Sequence, residues 1–228
     1  MEIKVIASSS SGNCYFVSDG ITNLLIEAGV NLNRIRKYVN LSSLSGCLIS
    51  HEHLDHSKYA KEIAKYCNIY SSKGTLEALG SFGNFEFRKQ AINGLIKIGT
   101  FYIKTFETVH DAIDPVGFLI LSSHLKETLF FATDTKVIKN KFENLDYIMI
   151  EANYSLNIAD NNLTALERRR YNTHLSLEGV AAFLKTLDLT KTKKIYLMHL
   201  SDSASDEKYF KETVQKLTGK EVIICKKQ

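Results

Sequence analysis

Proline occurs once in the 228 residues, at Pro115, and no Gly/Ser-rich linker, low-complexity tract or repeat period interrupts the chain. Nothing marks a domain boundary, which excludes a string of small modules and predicts one continuous domain over residues 1–228. Cysteine is sparse: Cys14, Cys47, Cys67 and Cys225 are far apart and form no C-x-x-C pair. They lie in or beside apolar stretches, which speaks against a disulfide framework and predicts buried thiols in a reducing, cytoplasmic setting. No apolar run approaches membrane-spanning length, and the Met1–Ile6 stretch runs directly into a strand-like pattern without a leader-peptide core. A protein that is neither exported nor membrane-inserted is expected. The 29 Lys and Arg exceed the 25 Asp and Glu by only four, and the excess is spread along the chain. That admits a polyanionic substrate without requiring one.

What is present is enough apolar residue, 44%, to bury a substantial core. Apolar alternation and short apolar runs predict strands at Ile3–Ala7, Tyr15–Ser18, Asn23–Glu27 and Cys47–Ser50. In the middle of the chain they predict strands at Leu95–Ile98, Phe101–Val109, Val116–Leu121, Thr128–Ala132 and Tyr147–Ile150, and late in it at Lys194–Met198 and Val222–Cys225. Helical patterns fall near Leu32–Tyr38, Tyr59–Tyr66, Thr75–Leu79, Leu177–Leu187 and Glu207–Leu217. The middle strands follow one another without helical crossovers, which predicts antiparallel pairing there. Strands interrupted by helices in both halves predict an α/β architecture of two packed sheets with helices outside.

His51, His53, Asp55 and His56 crowd four metal-ligating side chains into six residues directly after the apolar run Gly46–Ser50. In a turn after a strand, His51 and His53 can converge on one cation while Asp55 and His56, past the bend, face a second. Imidazole and carboxylate donors suit zinc, manganese or iron. A polar loop with solvated histidines is the plain alternative, and this density argues against it. Three later strands each end on a further donor: Thr105–Val109 at His110, Thr128–Thr133 at Asp134, and Ile195–Met198 at His199. Singly each is an ordinary turn residue, but strands of one sheet that finish at one edge bring such tips together. Counted as ligands, His51, His53 and His110 can hold one ion, Asp55, His56 and His199 the other, and Asp134 can bridge them. Two incomplete shells leave room for a bridging hydroxide.

The His51-x-His53-x-Asp55-His56 cluster, followed in order by His110, Asp134 and His199, resembles the metallo-β-lactamase superfamily across nearly the whole chain. The resemblance implies a four-layer αβ/βα sandwich with a dinuclear site at a sheet edge. The stretches Ser8–Cys14, His110–Gly117 and His174-Leu175-Ser176 are similar to the YycJ-type branch, related to ribonuclease Z. That branch implies a phosphodiester substrate, and comparison with ribonuclease Z places a glutamate–histidine proton-donor pair at Glu151 and His174. Leu175 stands where the ribonuclease has Ser or Thr directly after its histidine, and no long Gly- and Pro-rich arm is present for gripping transfer RNA.

The implied chemistry is hydrolysis of nucleic acid, as an exo- or endonuclease, by attack of metal-bridged hydroxide at phosphorus. Asp55 would orient or deprotonate the nucleophile, and His174, polarised by Glu151, would protonate the departing oxygen. Ser9, Ser10, Ser11 and Asn13, with the Gly12 turn, are candidates to cradle a substrate anion, although an ordinary polar hairpin would look the same. The basic run Glu167-Arg168-Arg169-Arg170 can hold a nucleic-acid backbone or form a solvated helix face. His124, between two strands, reads as a turn residue. Rival functions on the same fold are cyclic-nucleotide hydrolysis, thioester or lactone hydrolysis, and a non-catalytic metal-binding module for nucleic acid. Pairing of two copies into a homodimer stays open.

Overall fold

The computed structural model describes residues 1–158 and 171–225. The Glu167–Arg170 basic run lies outside the described residues. Strands β1 (Glu2–Ala7), β2 (Cys14–Ser18), β3 (Asn23–Ile26), β4 (Gly46–Leu48), β5 (Ile69–Ser71) and β6 (Lys89–Ala91) form one sheet in that order. A second sheet runs β13-β12-β11-β10-β9-β8-β7, built from β7 (Leu95–Ile98), β8 (Phe101–Glu107), β9 (Val116–Ser122), β10 (Thr128–Ala132), β11 (Tyr147–Glu151), β12 (Lys194–Met198) and β13 (Glu221–Ile224).

Side-chain alternation along these strands dictates four layers. Tyr15, Val17, Leu24 and Ile26 of the first sheet pack against Phe101, Ile103, Leu129, Phe131 and Met149 of the second, making the central core. The alternate residues Phe16, Leu25 and Cys47 face the other way. They meet Ile35 and Ile63 from α1 (Leu32–Ile35) and α3 (Ala60–Ile63). On the far side Phe130, Ile148, Ile150 and Leu197 meet α5 (Leu177–Leu184) and α6 (Glu207–Thr218) through Val180, Phe183, Phe210 and Val214. Each fully buried side chain of this size contributes about 1.5–3 kcal/mol. Ser176 caps α5 by accepting from the Gly179 amide, and Asp206 caps α6 through Tyr209. Gly219 ends α6 at φ 67°, a left-handed turn that a side chain would strain.

Two expectations need correction. β11 is not part of an antiparallel meander: it pairs parallel with both β10 and β12. Its five residues are all buried, as parallel strands covered on both faces are, and residues 133–146 cross over without a helix. The stretch expected as one helix over Tyr59–Tyr66 is shorter: α2 (Leu54–Ser57) precedes α3, which stops at Ile63. Between them the chain turns back to bond β3's end, with Ala28 N–H on His56 O and Tyr59 N–H on Ala28 O. α4 (Lys73–Ala78) follows β5. β5 and β6 were both missed: Ile69-Tyr70-Ser71 is too short to show alternation, and Lys89-Gln90-Ala91 has no apolar pattern.

Candidate metal centre

The topology alone explains why distant donors meet. β10, β11 and β12 are parallel neighbours, so Asp134, Glu151 and His199 lie at one sheet edge. β9 is antiparallel to both β8 and β10, so β8 runs parallel to β10 and delivers His110 to that same edge. The Val116 amide at the start of β9 bonds Ser50 O, which joins this edge to the loop carrying His51. Asp134 and His199 take left-handed φ values of 42° and 53°, a costly backbone for non-glycine residues that turns each side chain off its strand.

All seven predicted ligands gather in two donor groups, His51–His53–His110 and Asp55–His56–Asp134–His199, with the donor atoms of each group within 4.8 Å of one another. Asp134 stands between them. Its Oδ2 is 3.8 Å from His51 Nε2 and 3.6 Å from His110 Nε2 on one side, and 3.4 Å from His56 Nε2 on the other. Asp55 Oδ2 is 3.2 Å from His56 Nε2 and 3.4 Å from His199 Nε2. A third group overlaps the second: His174 Nδ1 lies 2.5 Å from Glu151 Oε1, and Glu151 also reaches His199 Nδ1 at 3.2 Å. The donor chemistry fits divalent cations. So does His51 Nε2, a buried nitrogen with no hydrogen-bond partner.

Residues 22–200 match the Beta-lactamase superfamily domain. The chain belongs to the beta-lactamase superfamily. It is 31% identical over 220 residues to exodeoxyribonuclease WalJ of Streptococcus pneumoniae serotype 2 (strain D39 / NCTC 7466), covering 87% of this chain and 81% of that relative. It is 25% identical over 220 residues to exodeoxyribonuclease YycJ of Bacillus anthracis, covering 88% and 83%. Its fold matches the crystal structure of the metallo-beta-lactamase fold protein YhfI from Bacillus subtilis with a TM-score of 0.76 at 17% identity, covering 99% and 96% of the two chains.

Around this superfamily centre, a second ring of groups aims the imidazoles. His51 Nδ1 bonds Ser50 Oγ at 2.9 Å, and His110 Nδ1 meets Thr173 O at 2.9 Å. His56 Nδ1 faces the fully buried Glu27 carboxylate at 3.6 Å. Holding Nδ1 in this way leaves Nε2 of each ring for the centre. Sequence reasoning missed Glu27, Asn153 and Ser8. Asn153 bonds His199 O, and Ser8 Oγ accepts from the His199 amide. The signal for Glu27 was a charge closing the apolar run Leu24-Leu25-Ile26.

The candidates Ser9, Ser10, Ser11 and Asn13 separate. Ser10 is exposed and lines the cavity. Asn13 is fully buried, its amide donating to Ser9 O and Asp55 O and lying 3.2 Å from His56 Nε2, so it braces the ligand loop from within. Ser9 Oγ accepts from Ser11 N and thus shapes the turn. Gly29 completes the brace: a Cβ there would sit 1.8 Å from Asp55 O. His124 lies in the turn between β9 and β10.

Charge completes the argument for cations. Burial opposes protonation of His199, but Asp134, Asp55 and Glu151 outweigh it and push its pKa up to about 10. His56 is likewise raised against its burial by Asp134 and Asp55. His51 goes the other way, lowered by burial and by His56. The buried carboxylates thus demand positive charge, which protons supply when no cation does. Cation binding must expel those protons, so affinity rises with pH. Titration of zinc or manganese between about pH 6 and pH 9 is expected to show affinity weakening about tenfold per unit of acidification for each proton displaced. A flat profile would contradict proton–cation competition.

Proposed function

We propose that this chain is a metal-dependent phosphodiesterase that hydrolyses nucleic acid, with DNA attacked from an end as its principal reaction. The observation that carries this reading is one cavity of about 310 Å³ lined by His53 and His110 of the first donor group, by Asp55, Asp134 and His199 of the second, and by His174. Two relatives covering most of the chain bear the name exodeoxyribonuclease, which supports DNA and an exonucleolytic mode.

In this reading His51, His53 and His110 hold one cation, zinc by preference, and Asp55, His56 and His199 a second, with Asp134 shared. Bound divalent cations supply positive charge against phosphate oxygens and lower the pKa of water. The chain's own groups do the rest. Asp55, partly exposed to the cavity, orients a water molecule through its carboxylate. Glu151, fully buried and anchored by the Thr135 and Leu175 amides, fixes His174 through Nδ1. Burial disfavours the imidazolium, yet the Glu151 charge and hydrogen bond raise the His174 pKa, so His174 holds a proton at Nε2 for the leaving oxygen. Ser10 and the Asn153 amide supply neutral polar contacts on the wall.

Among the described residues no lysine or arginine lines this cavity, while Asp55, Asp134 and Asp202 do. The positive charge that meets an anionic diester there is thus left to bound cations and to the histidines. Among the described residues no helix is long and apolar enough to cross a membrane, and all four cysteines are free and buried, which supports action in a reducing compartment. The test is a metal-loaded assay on end-labelled single- and double-stranded DNA, RNA and cyclic mononucleotides, with and without chelator. Mononucleotide release from DNA, abolished by chelation and restored by added cation, is the expected result. Turnover of cyclic mononucleotides alone would reject it.

A further inference from the structure

Among the described residues no lysine or arginine lines the catalytic cavity, which directs the search for a grip on the rest of a polyanion to other surfaces. A second cavity, of about 660 Å³, opens between α4, β8–β9 and residues 140–142. Lys73, Lys104 and Lys141 stand on its rim and are all exposed. Lys73 pairs with Glu77 at 3.7 Å, but both side chains are more than two-thirds exposed, so that pair is weak and readily exchanged. The floor is apolar, made by the half-buried Phe106 and Phe142 with Val116. Two acids also face it, Glu107 and Asp114, the latter accepting from the Gly74 amide at 3.1 Å.

The groove adjoins the catalytic centre through one loop: His110 lines the catalytic cavity and Asp114, four residues on, lines the groove. Ser72 Oγ and Thr75 Oγ1 pin that loop to α4 by bonding Asp114 O and Ile113 O. Glu52, within the histidine cluster, accepts from the Ile113 amide at 2.9 Å and pins it from the other side.

We propose that this groove is a second nucleic-acid site, which holds the uncleaved part of a single strand whose end occupies the catalytic cavity. The proposal rests on the phosphodiesterase reading above. Lysines at the rim suit phosphates, while an apolar, partly aromatic floor suits unpaired base faces, which a duplex keeps stacked inside. The exposed amides of Asn93 and Asn140 offer donors and acceptors to base edges.

The test uses the full chain and a Lys104→Ala/Lys141→Ala variant, both exposed positions. Binding of a thymidylate oligonucleotide of about 12 residues is followed by fluorescence anisotropy across salt concentrations. The variant is expected to bind about tenfold more weakly, and its log–log salt slope to shrink by about 1.4, the share of two phosphate contacts. Lys104→Arg/Lys141→Arg should bind as the parent does. Unchanged affinity and slope would overturn the groove, and an equal loss on duplex of the same length would overturn the single-strand assignment. A dinucleotide too short to reach the groove serves as the turnover reference. Failure of the parent protein on it would strike the phosphodiesterase reading, whereas anisotropy judges the groove without turnover.

Discussion

Asp134→Ala is expected to reduce DNA hydrolysis by on the order of 10³-fold or more, about 4 kcal/mol of lost transition-state stabilisation, with metal content reduced in parallel. The expectation follows from position. Asp134 Oδ2 lies within 3.8 Å of His51 and 3.6 Å of His110 in one donor group, and within 3.4 Å of His56 in the other. It is also the side chain whose charge most raises His56 and His199 against their burial. Removing it lowers both imidazole pKa values and unties the two donor groups at once. Asp134→Asn keeps the shape and deletes only the charge, so it should follow Asp134→Ala in activity while melting nearer to the parent. Metal analysis and kcat on end-labelled DNA decide the matter. Full turnover in either variant, with the fold intact by circular dichroism, would refute a shared carboxylate.

His174→Ala should separate proton delivery from cation binding. Its turnover is expected to fall by about 10²–10⁴-fold while both metal equivalents are retained, because general-acid assistance is worth that much. The sign of its pH behaviour is fixed by the same geometry. Glu151 raises the His174 pKa, so the imidazolium persists above the usual histidine range and activity declines only as pH climbs through that raised value. The variant should lack this alkaline decline. It should also be least impaired on a nitrophenyl diester, whose leaving oxygen needs no proton. Loss of metal in His174→Ala would instead make His174 a structural member of the third donor group, Asp134–Glu151–His174–His199.

Much of this centre is legible in the sequence alone. The His51–His56 cluster is dense because a single loop supplies donors to both groups, and density is a property of sequence. His110, Asp134 and His199 were readable as strand tips, since an apolar run that stops at a donor needs no partner to be noticed. Reading β11 as part of an antiparallel meander failed because a fully buried strand has no alternation to betray its direction, and its crossover carries no helix. Asn13 was misjudged for a related reason. A polar residue in a Ser-rich turn looks available for a ligand, and only packing against Asp55 O and Gly29 shows that it is enclosed.

By itself, the sequence determined the donor chemistry and the strand ends that carry it, because side-chain type and apolar periodicity are local, and its motif resemblance pointed to the superfamily. Only the tertiary structure decided that Asp134 stands between the two histidine groups, that Glu27 and Glu151 back the imidazoles, and that the catalytic cavity holds acids while a lysine-rimmed groove lies beyond the 110–115 loop. Those outcomes depend on strand order and on which face each residue takes, so residues remote in the chain become neighbours only once two sheets have packed together.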